Sequence, residues 1–250
     1  MTRQSLVEIN KLALKYFVRQ LGQNNRVYAY LRGRLSEECI KRFRLGYAPY
    51  AGLVAFLQQA NVNLADAVVL GLLGVNEDKS YYEVFGNRII IPIIHAGLLV
   101  GFAGRTFEDK SKIKYINSKT SVLYRKNEVL FGLWYARQYI KESGFAVVLE
   151  GYFDWLALFT GGILNVVAVS GTALTDMHCT MLKRYTLDLG IMFDGDAIGL
   201  QKAGKMLSVV EERGMHAHLL SLPKDTDPDE YLTSNGLDAM HELIYVGMHI

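Results

Sequence analysis

The sequence predicts an α/β chain in two parts: a basic, mixed α+β segment over residues 1–142, then a parallel sheet flanked by helices over 143–250. Two observations lead there. The spacing of apolar residues changes from helical to β-rich near Tyr81, and again to strand–helix alternation beyond residue 142. Charge is also divided: residues 1–126 hold 19 Lys and Arg against 9 Asp and Glu, a balance of +10, while the remaining 124 hold 8 against 16, or −8. A basic half beside an acidic half suits a protein that holds a polyanion with one part and metal cations with the other. Two mutually attracting solvated faces are the plainer alternative.

Composition narrows the class further. At 50% hydrophobic and 11% aromatic the chain is too apolar for a disordered one. Cys39 and Cys179 are too few for a four-ligand zinc site or a disulfide scaffold, which fits a reduced, cytoplasmic protein. No apolar h-region follows the N-terminus, so no signal peptide is expected. The uncharged run Trp155–Thr175 is nominally long enough to cross a bilayer of about 30 Å. Gly161-Gly162 and Asn165 interrupt it, and the run reads as helix, turn and strand, with no membrane partner expected.

In chain order, Leu6, Ile9, Leu12, Ala13, Tyr16 and Phe17 recur at helical spacing over 5–21. Short helices are expected over 24–31 and over 36–43, the second opened by Ser36 with Glu37 and Glu38 in its first turn. GYAPYAG (46–52) reads as turn-rich punctuation, with helices near 51–60 and 64–70. YYEVF, RIIIPII and LLVGFAGRTF are β-rich, and His95-Ala96-Gly97 is the tight turn between the last two. Residues 109–126 read as a polar, basic loop, followed by a helix at about 131–142. Beyond it, strands at 145–150, 165–170, 187–193 and 215–222 alternate with helices, the final one over 236–246.

Ligands of a parallel α/β sheet bind outside the carboxyl ends of its strands, and the acidic residues fall there. Glu150 ends the first strand, with Gly151 next and Asp154 a turn further on. Asp194 and Asp196 follow the third strand in FDGDAIG; Asp225, Asp227 and Asp229 follow the fourth in LPKDTDPDEYL. Any one of these aspartates reads equally well as a helix cap. Together they argue for more: two carboxylates about 4 Å apart repel by roughly 4 kcal/mol at an effective dielectric near 20. Gathering several calls for a hard cation such as Mg²⁺ or Mn²⁺, because these segments hold no His or Cys. Elsewhere Cys39, Cys179 and His178 read as packing or capping residues, and His216 with His218 lacks a third ligand.

Glu-Gly, Asp-x-Asp and a later acidic motif at successive strand ends resemble the Toprim domain. The longer string GYAP (46–49), IIIPII…GFAGR (89–105), KYINS (114–118), LFGLWYAR (130–137), EGYFDWLAL (150–158), VSGTALT (169–175), FDGDAIG (193–199) and DPDEYL (227–232) resembles the bacterial DnaG-type primase core, in that family's order. Departures are Gly33-Arg34-Leu35-Ser36 for the family's Arg-Gly-Leu-Ser, His95 for an aspartate and Ala103 for a glycine.

The resemblance implies a Toprim-type parallel sheet and a DNA-dependent RNA polymerase activity that makes short RNA primers on single-stranded DNA from nucleoside triphosphates, using Mg²⁺ or Mn²⁺. By position it implies Glu150, Asp194 and Asp196 as catalytic carboxylates, which with Asp227 and Asp229 also bind metal, and Asp154 as a supporting acid. Glu150 is either a ligand or a general base. Arg34, Arg105, Lys114, Asn117 and Lys126 are implied to bind nucleic acid or nucleotide phosphates. The resemblance places such a protein at the replication fork in the cytoplasm. Family members also carry a zinc-binding domain, a helical extension and a domain that docks on the replicative helicase. The present sequence contains none of these, as expected of an excised core or a naturally reduced protein. A non-catalytic single-strand or nucleotide-binding module and a Toprim nuclease are the competing readings.

Overall fold

Thr2 opens the first helix, α1 (Arg3–Gly22), by accepting the Ser5 N–H, and the apolar stripe of Leu6, Ile9, Ala13 and Phe17 is buried along it. The computed structural model describes residues 2–108, 113–171 and 173–249 of a chain that divides into two units, Met1–Lys126 and Asn127–Ile250. The division coincides with the charge break: one unit carries the balance of +10 and the other the balance of −8.

In the first unit, Asn24 caps α2 (Asn25–Arg32) and Ser36 caps α3 (Glu37–Arg42). A four-stranded antiparallel sheet follows the order β1-β4-β5-β6, formed by β1 (Gly46–Ala48), β4 (Arg88–His95), β5 (Leu98–Arg105) and β6 (Tyr115–Asn117). The β4–β5 turn has positive φ at both Ala96 and Gly97, which matches the right-handed twist of its strands. Between β1 and β4 lie α4 (Leu53–Gln59), α5 (Leu64–Val69) and the small sheet of β2 (Leu73–Val75) with β3 (Tyr81–Glu83). Tyr82 faces Gly74 across it, its ring filling the space a side chain there would need.

Leu73–Val75, to which the sequence reading gave no strand, pairs with β3, and two further strands replace an expected turn and an expected loop. Gly46–Ala48, read as turn, pairs with Arg88–Ile90, and Tyr115–Asn117, read as loop, pairs with Ala103–Arg105. Both are three-residue strands whose partners are distant or whose own residues show no alternation, so no local pattern marks them. Residues 109–112 of the expected loop, and Thr172 of SGTALT, lie outside the described residues.

The second unit begins with α6 (Leu133–Ser143). It was grouped above with the N-terminal segment, but it packs on β7 (Phe145–Leu149) and β8 (Val166–Ala168). The apolar run after residue 154 is indeed helix, turn and strand. α7 (Tyr152–Thr160) stops at Gly161, Gly162 takes a positive φ, and β8 follows. Among the described residues no helix is long and apolar enough to cross a membrane. Trp155 pins the turn to the sheet through an indole N–H bond to the Val166 carbonyl at 2.7 Å, stacks on Phe159 and meets Phe131 edge to face.

The alternation continues with α8 (Asp176–Leu182), β9 (Asp188–Met192), α9 (Ala197–Glu211), β10 (His216–Leu219) and α10 (Pro228–His249), the last kinked at Gly236. The four strands pair in parallel, in the order β10-β9-β7-β8, and Phe131 adds an antiparallel bridge to Ala168 of β8. The chain leaves β7 toward β8 on one side, then returns past it to β9 and β10 on the other. The order therefore reverses between β7 and β9, where a doubly wound sheet opens a crevice at its carboxyl edge.

Candidate functional site

Register brings the acidic segments to that crevice. Leu149 of β7 pairs with Met192 of β9, and Leu219 of β10 with Ile191. Glu150, Asp194 and the segment 225–229 thus leave three adjacent strands at one rim of the sheet. The rim is closed by backbone bonds: the Gly195 N–H donates to the Thr226 carbonyl at 2.9 Å, and the Asp225 N–H to the Gly195 carbonyl at 3.2 Å. Gly195 is required here because a Cβ would stand 2.1 Å from the Pro223 carbonyl oxygen. At Gly151 the Asp154 carboxylate takes that space, with Oδ2 2.4 Å from where a Cβ would stand. Asp154 folds its carboxylate back over the turn that follows Glu150.

The carboxylates are used in different ways. Asp196 Oδ1 accepts the Gly199 N–H at 2.6 Å and caps α9; Asp227 Oδ1 accepts the Glu230 N–H at 2.7 Å in the first turn of α10. The capping reading therefore holds for these two. Asp194 is half-buried and Asp229 is buried, 8% exposed. Glu150 Oε1 takes the ammonium of Lys202, from α9, at 2.5 Å. Beside this pair lies a cavity of about 270 Å³ walled by Val169, Leu174, Phe193 and Met206 and edged by Glu150, Lys202 and Lys205.

Among the described residues no three His, Cys, Asp or Glu side chains converge into a protein-only metal cage. Helix N–H groups and an ammonium take up part of the negative charge that the sequence gathers there. The donor set nevertheless fits a hard divalent ion: it is all oxygen, half-buried, at a sheet switch point. Ions such as Mg²⁺ are commonly held by one or two carboxylates together with substrate phosphates.

The basic candidates lie in the first unit, most of them along its β5–β6 edge. Arg105 pairs with Tyr115 in register and is buried, 5% exposed; its guanidinium donates to the Tyr115 hydroxyl at 3.0 Å and to the Tyr30 hydroxyl, from α2, at 3.2 Å. Read from sequence as a phosphate contact, Arg105 is buried and bonded to both tyrosine hydroxyls. Lys114 is exposed beside it, and Asn117 lies half-buried in β6 opposite Ala103. Arg34 is exposed in the turn after α2. Lys126, half-buried in a single 3-10 turn, has its ammonium pKa pushed down by burial.

Sequence reasoning missed Arg88, whose guanidinium binds the carbonyls of Gly104, Ile113 and Lys114 and so ties the basic edge to β4. It also missed Tyr30 and Lys202. The available signal for Lys202 was its place six residues beyond Asp196, on a helix that starts at the acidic rim. His178 caps α8 reciprocally with Thr175, and Cys39 and Cys179 are buried free thiols, all as expected.

Two family models match the chain: DNA primase catalytic core, N-terminal domain, over residues 16–137, and Toprim-like, over 147–232. The DNA primase of Aquifex aeolicus is 36% identical over 232 residues, which cover 92% of this chain and 46% of that protein. The chain spans less than half the length of the curated relatives it matches. A crystal structure of the Aquifex aeolicus primase zinc-binding and RNA polymerase domains superposes with a TM-score of 0.91 at 33% identity, covering 98% of this chain and 62% of that one. A DnaG primase catalytic domain bound to ssDNA superposes at 0.86 and 30% identity, covering 98% and 82%. With the two family models following one another over most of its length, the chain belongs to the bacterial DnaG-type DNA primase family.

Proposed function

We propose that the chain is a primase catalytic core that synthesises short RNA primers on single-stranded DNA by metal-dependent nucleotidyl transfer. The observation that carries this reading is the placement of Glu150 and Asp194 on either side of the sheet's switch point, with the 225–229 segment laced to the Asp194 loop. Membership of the Toprim-containing primases implies use of a divalent cation. Mg²⁺ or Mn²⁺ bound at this rim supplies charge neutralisation for the triphosphate and makes the primer 3′-hydroxyl more acidic.

The chain's own residues do the positioning. Glu150, Asp194 and Asp196 present carboxylate oxygens toward the reacting phosphates, Asp227 and Asp229 extend the ligand set, and Asp154 fixes the turn bearing Glu150. Their shared negative field recruits cations and would repel an unaccompanied triphosphate. Arg34, Lys114, Asn117 and Lys126 line the path of template and nucleotide phosphates, and Arg105 holds Tyr30 and Tyr115 in place for it. A neighbour crystallised with single-stranded DNA supports the choice of template. Contacts of this kind read phosphate more than sequence, so binding should be salt-dependent.

De novo RNA synthesis on a single-stranded template, compared between wild type and Asp194→Ala, tests the reading. Primer synthesis by the wild type that is lost in the variant is the expected result. Equal activity in both would refute the site. Template binding without synthesis, or shortening of the template, would favour the binding-module or nuclease reading.

A further inference from the structure

The Glu150 carboxylate is only 25% exposed, so a partner must offset its lost hydration. The partner in the structure is Lys202, whose side chain is 48% exposed and held on one side only. Lys205 lies one turn further along α9, edges the same cavity, and makes no ion pair among the described residues. Positions three apart on a helix share a face, so both lysines project from α9 toward the same cavity.

We propose that Lys202 is a displaceable counter-ion with two stations. Its ammonium neutralises Glu150 until a divalent cation takes the carboxylate, then turns to a phosphate oxyanion at the cavity edge beside Lys205. The proposal rests on the reading of Glu150 as part of the ion site. An ammonium and a dication cannot share one carboxylate oxygen, because their mutual repulsion at contact distance cancels much of what either gains. The exchange is inexpensive because a half-exposed ion pair is worth little and lysine is a point charge on a flexible stem. Once released, Lys202 lies against the apolar walls formed by Val169, Phe193 and Met206, where reduced hydration strengthens its attraction to an anion. The anion best suited to two adjacent ammonium groups is one with several charged oxygens, such as pyrophosphate or the triphosphate of a nucleotide.

Two binding constants test this on the whole chain: Mn²⁺ affinity from the electron paramagnetic resonance signal of the free ion, and pyrophosphate affinity by calorimetry at saturating Mn²⁺. The proteins are wild type, Lys202→Met, which keeps the apolar stem, Lys202→Arg, which keeps the charge, and Glu150→Gln. Lys202→Met should bind Mn²⁺ about two- to fivefold more tightly and pyrophosphate about three- to tenfold more weakly. Lys202→Arg should restore most of the pyrophosphate affinity. A structural role cannot move the two constants in opposite directions. If Lys202→Met leaves either constant unchanged, or shifts both the same way, the proposal is overturned. If Glu150→Gln weakens Mn²⁺ binding while Lys202→Met has no effect, only the two-station idea falls. If wild type binds Mn²⁺ no better than Glu150→Gln, the ion-site reading falls with it.

Discussion

The backbone of Gly195 bonds in both directions to the segment after β10, its N–H to the Thr226 carbonyl and its carbonyl to the Asp225 N–H. Two acidic motifs thirty residues apart in sequence are thereby held as one surface. Gly195→Ala places a methyl 2.1 Å from the Pro223 carbonyl oxygen and forces the segments apart. We expect a loss of about 1–3 kcal/mol in chemical denaturation, with primer synthesis falling further than that loss explains. Gly204→Ala is the control. Gly204 lies inside α9 with nothing near its would-be Cβ, so alanine there should stabilise by about 0.5–1 kcal/mol and leave synthesis intact.

Arg105→Gln tests whether the buried guanidinium organises or contacts nucleic acid. Glutamine removes the charge and cannot reach the Tyr30 and Tyr115 hydroxyls together, so the variant should lose roughly 1.5–3 kcal/mol of stability. The salt dependence of single-strand binding should stay at the wild-type slope. A slope reduced by about 0.7, the value for one phosphate contact on a single strand, would make Arg105 a direct phosphate ligand.

Lys126 gives a pH signature. Burial lowers its ammonium pKa, and a phosphate contact needs the charged form. Its contribution to DNA affinity therefore disappears as pH rises through the lowered pKa, earlier than for an exposed lysine. Lys126→Arg should flatten that alkaline decline in fluorescence anisotropy, because arginine stays charged.

Glu83 gives a stability signature. One carboxylate oxygen accepts the Val54 N–H at the start of α4; the other is buried with no hydrogen-bond partner among the described residues. Burial raises its pKa in spite of the backbone N–H groups around it. A raised carboxyl pKa in the folded state favours the fold at acid pH, and this stability is lost as pH climbs through the raised value. Glu83→Gln cannot ionise and still offers a carbonyl. Its melting temperature should fall less than the wild type's as pH rises above the ordinary glutamate value of about 4.3.

The strand-end acids and glycines were legible in the sequence because each sits where a hydrophobic strand stops, a local event that a linear reading can see. The order β10-β9-β7-β8 was not, since pairing between strands is set by contacts far apart in the chain. The same reason hides Gly46–Ala48 as a strand until Ile89 and Ile90 are placed beside it. At the site, counting carboxylates overstated their repulsion. It took Asp196 and Asp227 as charges without the helix N–H groups they cap, and passed over Lys202, an ordinary residue on the polar side of an amphipathic helix. Arg105 was recognised by its motif, and its burial followed only from Tyr30, which no local pattern links to it.

Anomalous scattering from crystals soaked in Mn²⁺ tests the site most directly, because it reports where the ion rests independently of turnover. Our account predicts a peak at the carboxyl edge of the sheet, within coordinating distance of Glu150 or Asp194 and strengthened by nucleoside triphosphate. Full occupancy elsewhere on the chain, with both carboxylates unliganded while primer synthesis persists, would contradict it.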